Sequence, residues 1–149
     1  MRSTFAVVAI VGAVTLSMAA SQTPKMTKLE AWGVQTYREL RKYEQELKLG
    51  DMTHQVYMST LEKDRNKSVD IEMEGGTDYV VLGVCDNDCP DLDLTLYDEN
   101  GKQVSEDIQT DAFPVVQASP RSNATYRVKA TMANCTANPC WFAISVYKK

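Results

Sequence analysis

From residue 55 onward the chain alternates apolar and polar side chains, and in places strictly so. Leu92, Leu94 and Leu96 interleave with Asp91, Asp93, Thr95 and Tyr97, and Tyr126, Val128, Ala130 and Met132 interleave with Arg127, Lys129 and Thr131. A period of two places successive side chains on opposite faces of a strand, whereas a helix would scatter the same residues around its circumference. Shorter runs read the same way: Tyr57 to Leu61, Val69 to Met73, Tyr79 to Val84, Pro114 to Gln117 and Trp141 to Tyr147. Turn signals fall between them, EGGTD at Glu74 to Asp78 and DENG at Asp98 to Gly101, where Gly101 can supply a positive φ. Short strands separated by frequent turns predict a mainly β, antiparallel sandwich or barrel over residues 55–149.

The preceding segment has another period. From Met26 to Leu47 there is no proline, and Leu29, Trp32, Leu40, Tyr43 and Leu47 recur at helical spacing. One amphipathic helix within residues 21–50 is expected, with Thr27 as a possible cap, a Glu44–Lys48 pair one turn apart, and Gly50 as the stop. Residues 1–20 follow the plan of a secretory signal peptide: Arg2, an apolar run from Phe5 to Leu16, then small residues allowing cleavage after Ala19 or Ala20. That run is too short to span a bilayer, which takes roughly 20 apolar residues. An exported chain, periplasmic or extracellular, with no membrane span after cleavage is the expectation.

Four cysteines in such a chain, Cys85, Cys89, Cys135 and Cys140, read as two disulfides with three possible pairings. The local pairs, Cys85 with Cys89 and Cys135 with Cys140, are favoured because each brackets a turn between two expected strands. Closing such a short loop removes about 2 kcal/mol of chain entropy and the crossed pairings about 4, so local bridges stiffen turns more than they hold the fold. Zinc ligation by the same cysteines is the lesser reading in an oxidising compartment. The whole sequence has a formal net charge of −4, which argues against a nucleic-acid partner, since phosphate binding needs a concentrated positive surface.

Several stretches together resemble a known family: the run from Ser59 to Asp107 with its Gly76 and Tyr79 turn, its Asp91 to Leu94 strand and its Asp98 to Gly101 hairpin, followed by DAFPVV, ATYRVKATM and CWFAISV. This pattern resembles the bacterial pre-peptidase C-terminal domain, a secreted, jelly-roll-like β-sandwich. The likeness implies an accessory module of the kind carried by secreted enzymes, some of which bind calcium or matrix polymers. Here a helix, rather than a catalytic domain, precedes the sandwich.

Between Asp86 and Asp111 nine acidic residues stand against the single Lys102. Carboxylates gathered on a loop are what calcium requires, as it takes 6 to 8 oxygen ligands in flexible geometry. Asp86, Asp88 and Asp91 are the candidate ligands, Asp86 and Asp88 being held on the turn that a Cys85–Cys89 bridge would tighten. The competing reading is acidic turns and solvated faces with no ion. Pro90 and Asp91 break the EF-hand pattern that Asp86 and Asp88 begin, and Asp93 could pair across the sheet with Arg127 or Lys129. On the last strand, if Phe142, Ile144 and Val146 face the core, Trp141 and Tyr147 share the opposite face. They are then surface binding candidates, unless the N-terminal helix lies over them. Catalytic chemistry has little to stand on: one histidine, His54, no G-x-S-x-G turn, no glycine-rich phosphate loop, and too many exposed acids to single out a pair. The expectation is a non-catalytic exported module that engages a protein or glycan of the cell envelope, with a calcium-dependent structural or adhesion domain as the alternative and a small secreted hydrolase behind both.

Overall fold

The computed structural model describes residues 28–149; the signal-peptide reading and the Thr27 cap lie outside the described residues. One helix, α1 (Lys28–Glu46), is followed by eight strands: β1 (Tyr57–Leu61), β2 (Asn66–Met73), β3 (Tyr79–Cys85), β4 (Asp91–Tyr97), β5 (Gln103–Asp107), β6 (Val115–Ala118), β7 (Ala124–Asn134) and β8 (Cys140–Lys148). They form two four-stranded antiparallel sheets, β1-β8-β3-β6 and β2-β7-β4-β5. The pairing is nested: β1 with β8, β2 with β7, β3 with β6, β4 with β5. Consecutive strands from β1 to β4 therefore alternate between sheets, as in a chain folded once into a long hairpin and then rolled up, the jelly-roll arrangement.

The alternation read from the sequence sets which faces meet. Leu92, Leu94 and Leu96 of β4, Val128, Ala130 and Met132 of β7, and Phe142, Ile144 and Val146 of β8 all point into the space between the sheets. Each large side chain buried there contributes about 1.5–3 kcal/mol of transfer free energy. β5 was not expected. Its sequence QVSED carries one apolar residue, Val104, and that side chain is exposed. The strand is held by polar contacts at the open edge of the sandwich, where Val115 N–H donates to Asp107 Oδ2 at 2.9 Å and Gln117 N–H to Ser105 Oγ at 3.3 Å. Hydrophobic period carries no trace of such an edge.

The outer face of the β1-β8-β3-β6 sheet is roofed by α1. Leu40 packs with Leu82, Val84, Ala143 and Tyr147 in a second, smaller core, with Tyr43, Leu49, Met52 and Met58 around it. The helix ends differently from the expectation. Lys48 adopts φ 51°, Leu49 N–H donates to Glu44 O at 3.1 Å and Lys48 N–H to Gln45 O at 3.2 Å, a left-handed terminating turn with Lys48 where glycine is usual. Because Lys48 has left the helix, Glu44 pairs instead with Arg41. Gly50 serves another purpose. A Cβ there would lie 2.2 Å from the Lys148 carbonyl oxygen, because residues after the helix run beside β8, with Thr53 N–H bonded to Val146 O at 2.9 Å and Lys148 N–H to Asp51 O at 3.1 Å. Gly50→Ala must push this backbone seam apart, and a loss of about 1–3 kcal/mol is expected in urea denaturation. An unchanged midpoint would show that the seam tolerates a side chain.

Candidate functional site

Among the described residues no helix lies over the outer face of the β2-β7-β4-β5 sheet, and the side chains that the alternation turns outward meet there. Ser68 and Asp70 come from β2, Thr125, Arg127 and Lys129 from β7, and Tyr97 from β4, while Asp98, Glu99 and Gly101 of the β4–β5 hairpin form one wall. Together they line an open groove of about 630 Å³, within the size range of ligand sites.

Register places each member. Asp70 stands opposite Arg127 in the β2–β7 ladder, and Tyr97 opposite Arg127 in the β4–β7 ladder. Arg127 donates through Nε to Asp70 Oδ1 at 2.7 Å and through Nη2 to Oδ2 at 3.1 Å, a two-pronged pair that fixes the guanidinium plane. That hydrogen bond holds the Asp70 carboxyl below its ordinary range and raises Arg127. Lys129 sets its ammonium 5.7 Å from the centroid of the Tyr97 ring. The wall is rigid as well: Asp98 Oδ1 accepts the N–H groups of Asn100 and Lys102, both at 2.9 Å, Gly101 N–H donates to Asp98 O at 2.9 Å, and Gly101 takes the φ of 76° that its position demands. The DENG turn was legible in the sequence; its use as the side of a groove was not.

The acidic loop is arranged otherwise than expected. Both local disulfides are formed, Cys85–Cys89 and Cys135–Cys140. They sit side by side, since Asp88 O accepts both the N–H and the Oγ1–H of Thr136, at 2.7 and 2.9 Å. Asp86 is 2% exposed, and its Oδ2 accepts the Trp141 backbone N–H at 2.9 Å while Oδ1 has no hydrogen-bond partner among the described residues. Asp88 contributes its backbone, and Asp91 lies near Asp111 and Asp93. Asp86, Asp88 and Asp91 thus do not converge as a ligand set, and among the described residues no three His, Cys, Asp or Glu side chains form a group able to hold a metal ion. Asp93 faces Thr131 across the ladder; Arg127, one of its anticipated partners, is held by Asp70.

Burial pushes the Asp86 carboxyl up, as it does those of Asp91 and Asp93, where neighbouring carboxylates add to the effect. A raised native value means that the folded chain binds protons at a pH where the unfolded chain does not. The penalty of a buried charge is therefore full at neutral pH, shrinks as pH falls through the raised value, and is gone below the ordinary carboxylate value near 4. Asp86→Asn keeps an acceptor for Trp141 and is expected to raise the neutral-pH melting temperature while flattening this part of the pH profile. Asp86→Ala strands the Trp141 N–H and is expected to cost about 1–3 kcal/mol. Neither variant should respond to calcium or to chelator in the melt; a chelator-reversible shift in the unmodified protein that Asp86→Asn abolishes would make Asp86 a ligand after all.

The two aromatic candidates part company. Tyr147 is not a surface residue: it is 0% exposed beneath α1, and its hydroxyl accepts from Ser145 Oγ at 2.9 Å. The facing was read correctly, but the face is covered by the helix. Trp141 is half-buried. Its indole lies about 3.5 Å from the place a Gly33 side chain would take, and it lines a second, almost wholly apolar cleft with Val34, Tyr37 and Met58. His54 bridges the sheets, with Nε2 to Glu72 O at 2.9 Å and Nδ1 to Thr53 Oγ1 at 2.8 Å, so both ring nitrogens are engaged in holding the fold.

A scan of protein-family models gives no match for this chain, and no curated protein proves similar to it.

Proposed function

We propose that this chain is a non-catalytic, exported binding module that engages a macromolecule of the cell envelope, protein or glycan, through the groove on the open face of the β2-β7-β4-β5 sheet. The observation that carries this reading is the groove itself: charged and hydroxyl side chains, two of them joined as the Asp70–Arg127 pair, presented on a sheet face that none of the described residues covers. Preorganised polar groups on a rigid scaffold lower the ordering cost of binding. Two disulfides fit an oxidising compartment, which the signal-like residues 1–20 extend to a periplasmic or extracellular location. No helix among the described residues is long and apolar enough to cross a membrane. The sequence likeness to pre-peptidase C-terminal domains agrees with an accessory rather than a chemical role.

The test is retention of separated envelope polysaccharide and envelope protein fractions on the immobilised mature chain, compared with Arg127→Ala. The Asp70–Arg127 pair is solvent-exposed, with side chains 53% and 60% accessible, so the substitution should leave the fold intact. Retention of one fraction that Arg127→Ala abolishes supports the reading. Retention indifferent to Arg127 removes the groove from it.

A further inference from the structure

We propose that the ligand of this groove is a neutral carbohydrate chain, a proposal that rests on the groove being the binding site. The lining interleaves acceptors and donors: Asp98 and Glu99 stand on the hairpin wall, Arg127 and Lys129 on β7, and Asp70 lies between. Asp70 and Arg127 already neutralise one another. What remains is a carboxylate wall facing an ammonium, with the hydroxyls of Ser68 and Thr125 on the floor. A ligand carrying charge of one sign is repelled by one side of such a groove. Sugar hydroxyls suit both sides, since each can donate to a carboxylate and accept from an ammonium or guanidinium.

Tyr97 supplies the second element. Sugars present an apolar C–H face as well as hydroxyl edges, and a phenol ring at the groove surface covers such a face while keeping its own polar tip wet. The Lys129 ammonium lies over that ring, 5.7 Å from its centroid, so a sugar that stacks on the ring displaces the ammonium to its rim, where it can donate to the sugar's hydroxyl edge. The groove is open and runs over the sheet face, which suits a length of chain more than an enclosed monomer.

The same observations argue against the other macromolecules. Three carboxylates line the groove against two cations, which disfavours acidic polysaccharides and nucleic acid. A peptide is typically captured by adding a strand at a sheet edge or by lodging apolar side chains in pockets. This groove lies on a sheet face, and among the described residues Tyr97 is the only ring that lines it.

The experiment is affinity electrophoresis of the mature chain through gels containing neutral polysaccharides (glucan, mannan, galactan, xylan), with alginate as the acidic counterpart, beside titration with an extended-peptide library. Tyr97→Ala and Lys129→Gln are run in parallel, their folding checked by thermal melts. At least one neutral polymer is expected to retard the wild type, with about tenfold weaker binding in Tyr97→Ala and with little loss at high salt, because no net ligand charge is there to be screened. Failure of every neutral polymer to bind overturns the inference. Binding of alginate or peptide that Tyr97→Ala abolishes overturns the neutral-glycan assignment while leaving the groove as the site. Neutral-glycan binding that neither variant changes overturns the groove reading and, with it, this inference.

Discussion

Tyr147→Ala is expected to destabilise the protein by about 3–5 kcal/mol, the cost of deleting a large buried aromatic. Tyr147 sits at the centre of the small core between α1 and the β1-β8-β3-β6 sheet, touching the set formed by Leu40, Leu82, Val84 and Ala143. Its loss leaves a cavity that the surroundings cannot collapse into without moving the helix. The helix should therefore loosen along with the fall in stability, and Trp141, whose ring packs beside Gly33, should report it as a change in fluorescence before the global transition. Tyr147→Phe isolates the hydroxyl. It removes the partner of Ser145 Oγ, 2.9 Å away, and should cost about 1 kcal/mol. Urea denaturation of the three proteins settles the matter. A loss under 1 kcal/mol in Tyr147→Ala would mean that α1 does not contribute a packed layer to the fold.

The second large effect concerns the two cystines. Replacing either pair by alanine should cost about 2 kcal/mol from loop entropy alone, and replacing both about 4 if the bridges acted independently. They do not stand apart. Thr136, one residue past Cys135, donates twice to Asp88 O, one residue before Cys89, and all four sulfurs belong to the buried core between the sheets. Opening one turn slackens the bonds that hold the other. The quadruple variant should accordingly lose less than the sum of the two double variants, by an interaction energy of roughly 0.5 kcal/mol or more. Strict additivity in denaturant melts would show that the two turns are energetically separate in spite of their contact.

Particular residues show where sequence reasoning reached and where it stopped. The facing of Leu92, Leu94 and Leu96, and of Phe142, Ile144 and Val146, could be read directly, because a period of two is a local property of an extended backbone. The local disulfides were legible for a similar reason: four or five residues of separation around a turn keep the partners near each other whatever the rest of the chain does. The helix body was legible from its apolar stripe, but not its end. Lys48 occupies a left-handed position usually given to glycine, and Gly50 is small because of Lys148, a residue at the far end of the chain.

The groove lay beyond such reading. Arg127 and Lys129 were visibly on the outward side of their strand, yet nothing in the order of residues says that Asp70, more than fifty positions earlier, stands opposite Arg127, or that the DENG hairpin rises beside them. Asp86 is a second case of a position set by the fold. Its place in an acidic loop suggested a ligand, whereas the fold turns it inward to the Trp141 N–H.

Sequence alone thus determined which segments are extended or helical, which side of each strand is apolar, and which cysteines lie near enough to join. Tertiary structure decided which of the two outer faces the helix would cover, and so made Tyr147 a core residue while leaving Arg127 exposed and Tyr97 and Lys129 half-buried. The physical reason is that backbone period and short-loop entropy act over a few residues, whereas strand register and layer stacking minimise the exposed apolar area of the whole chain at once.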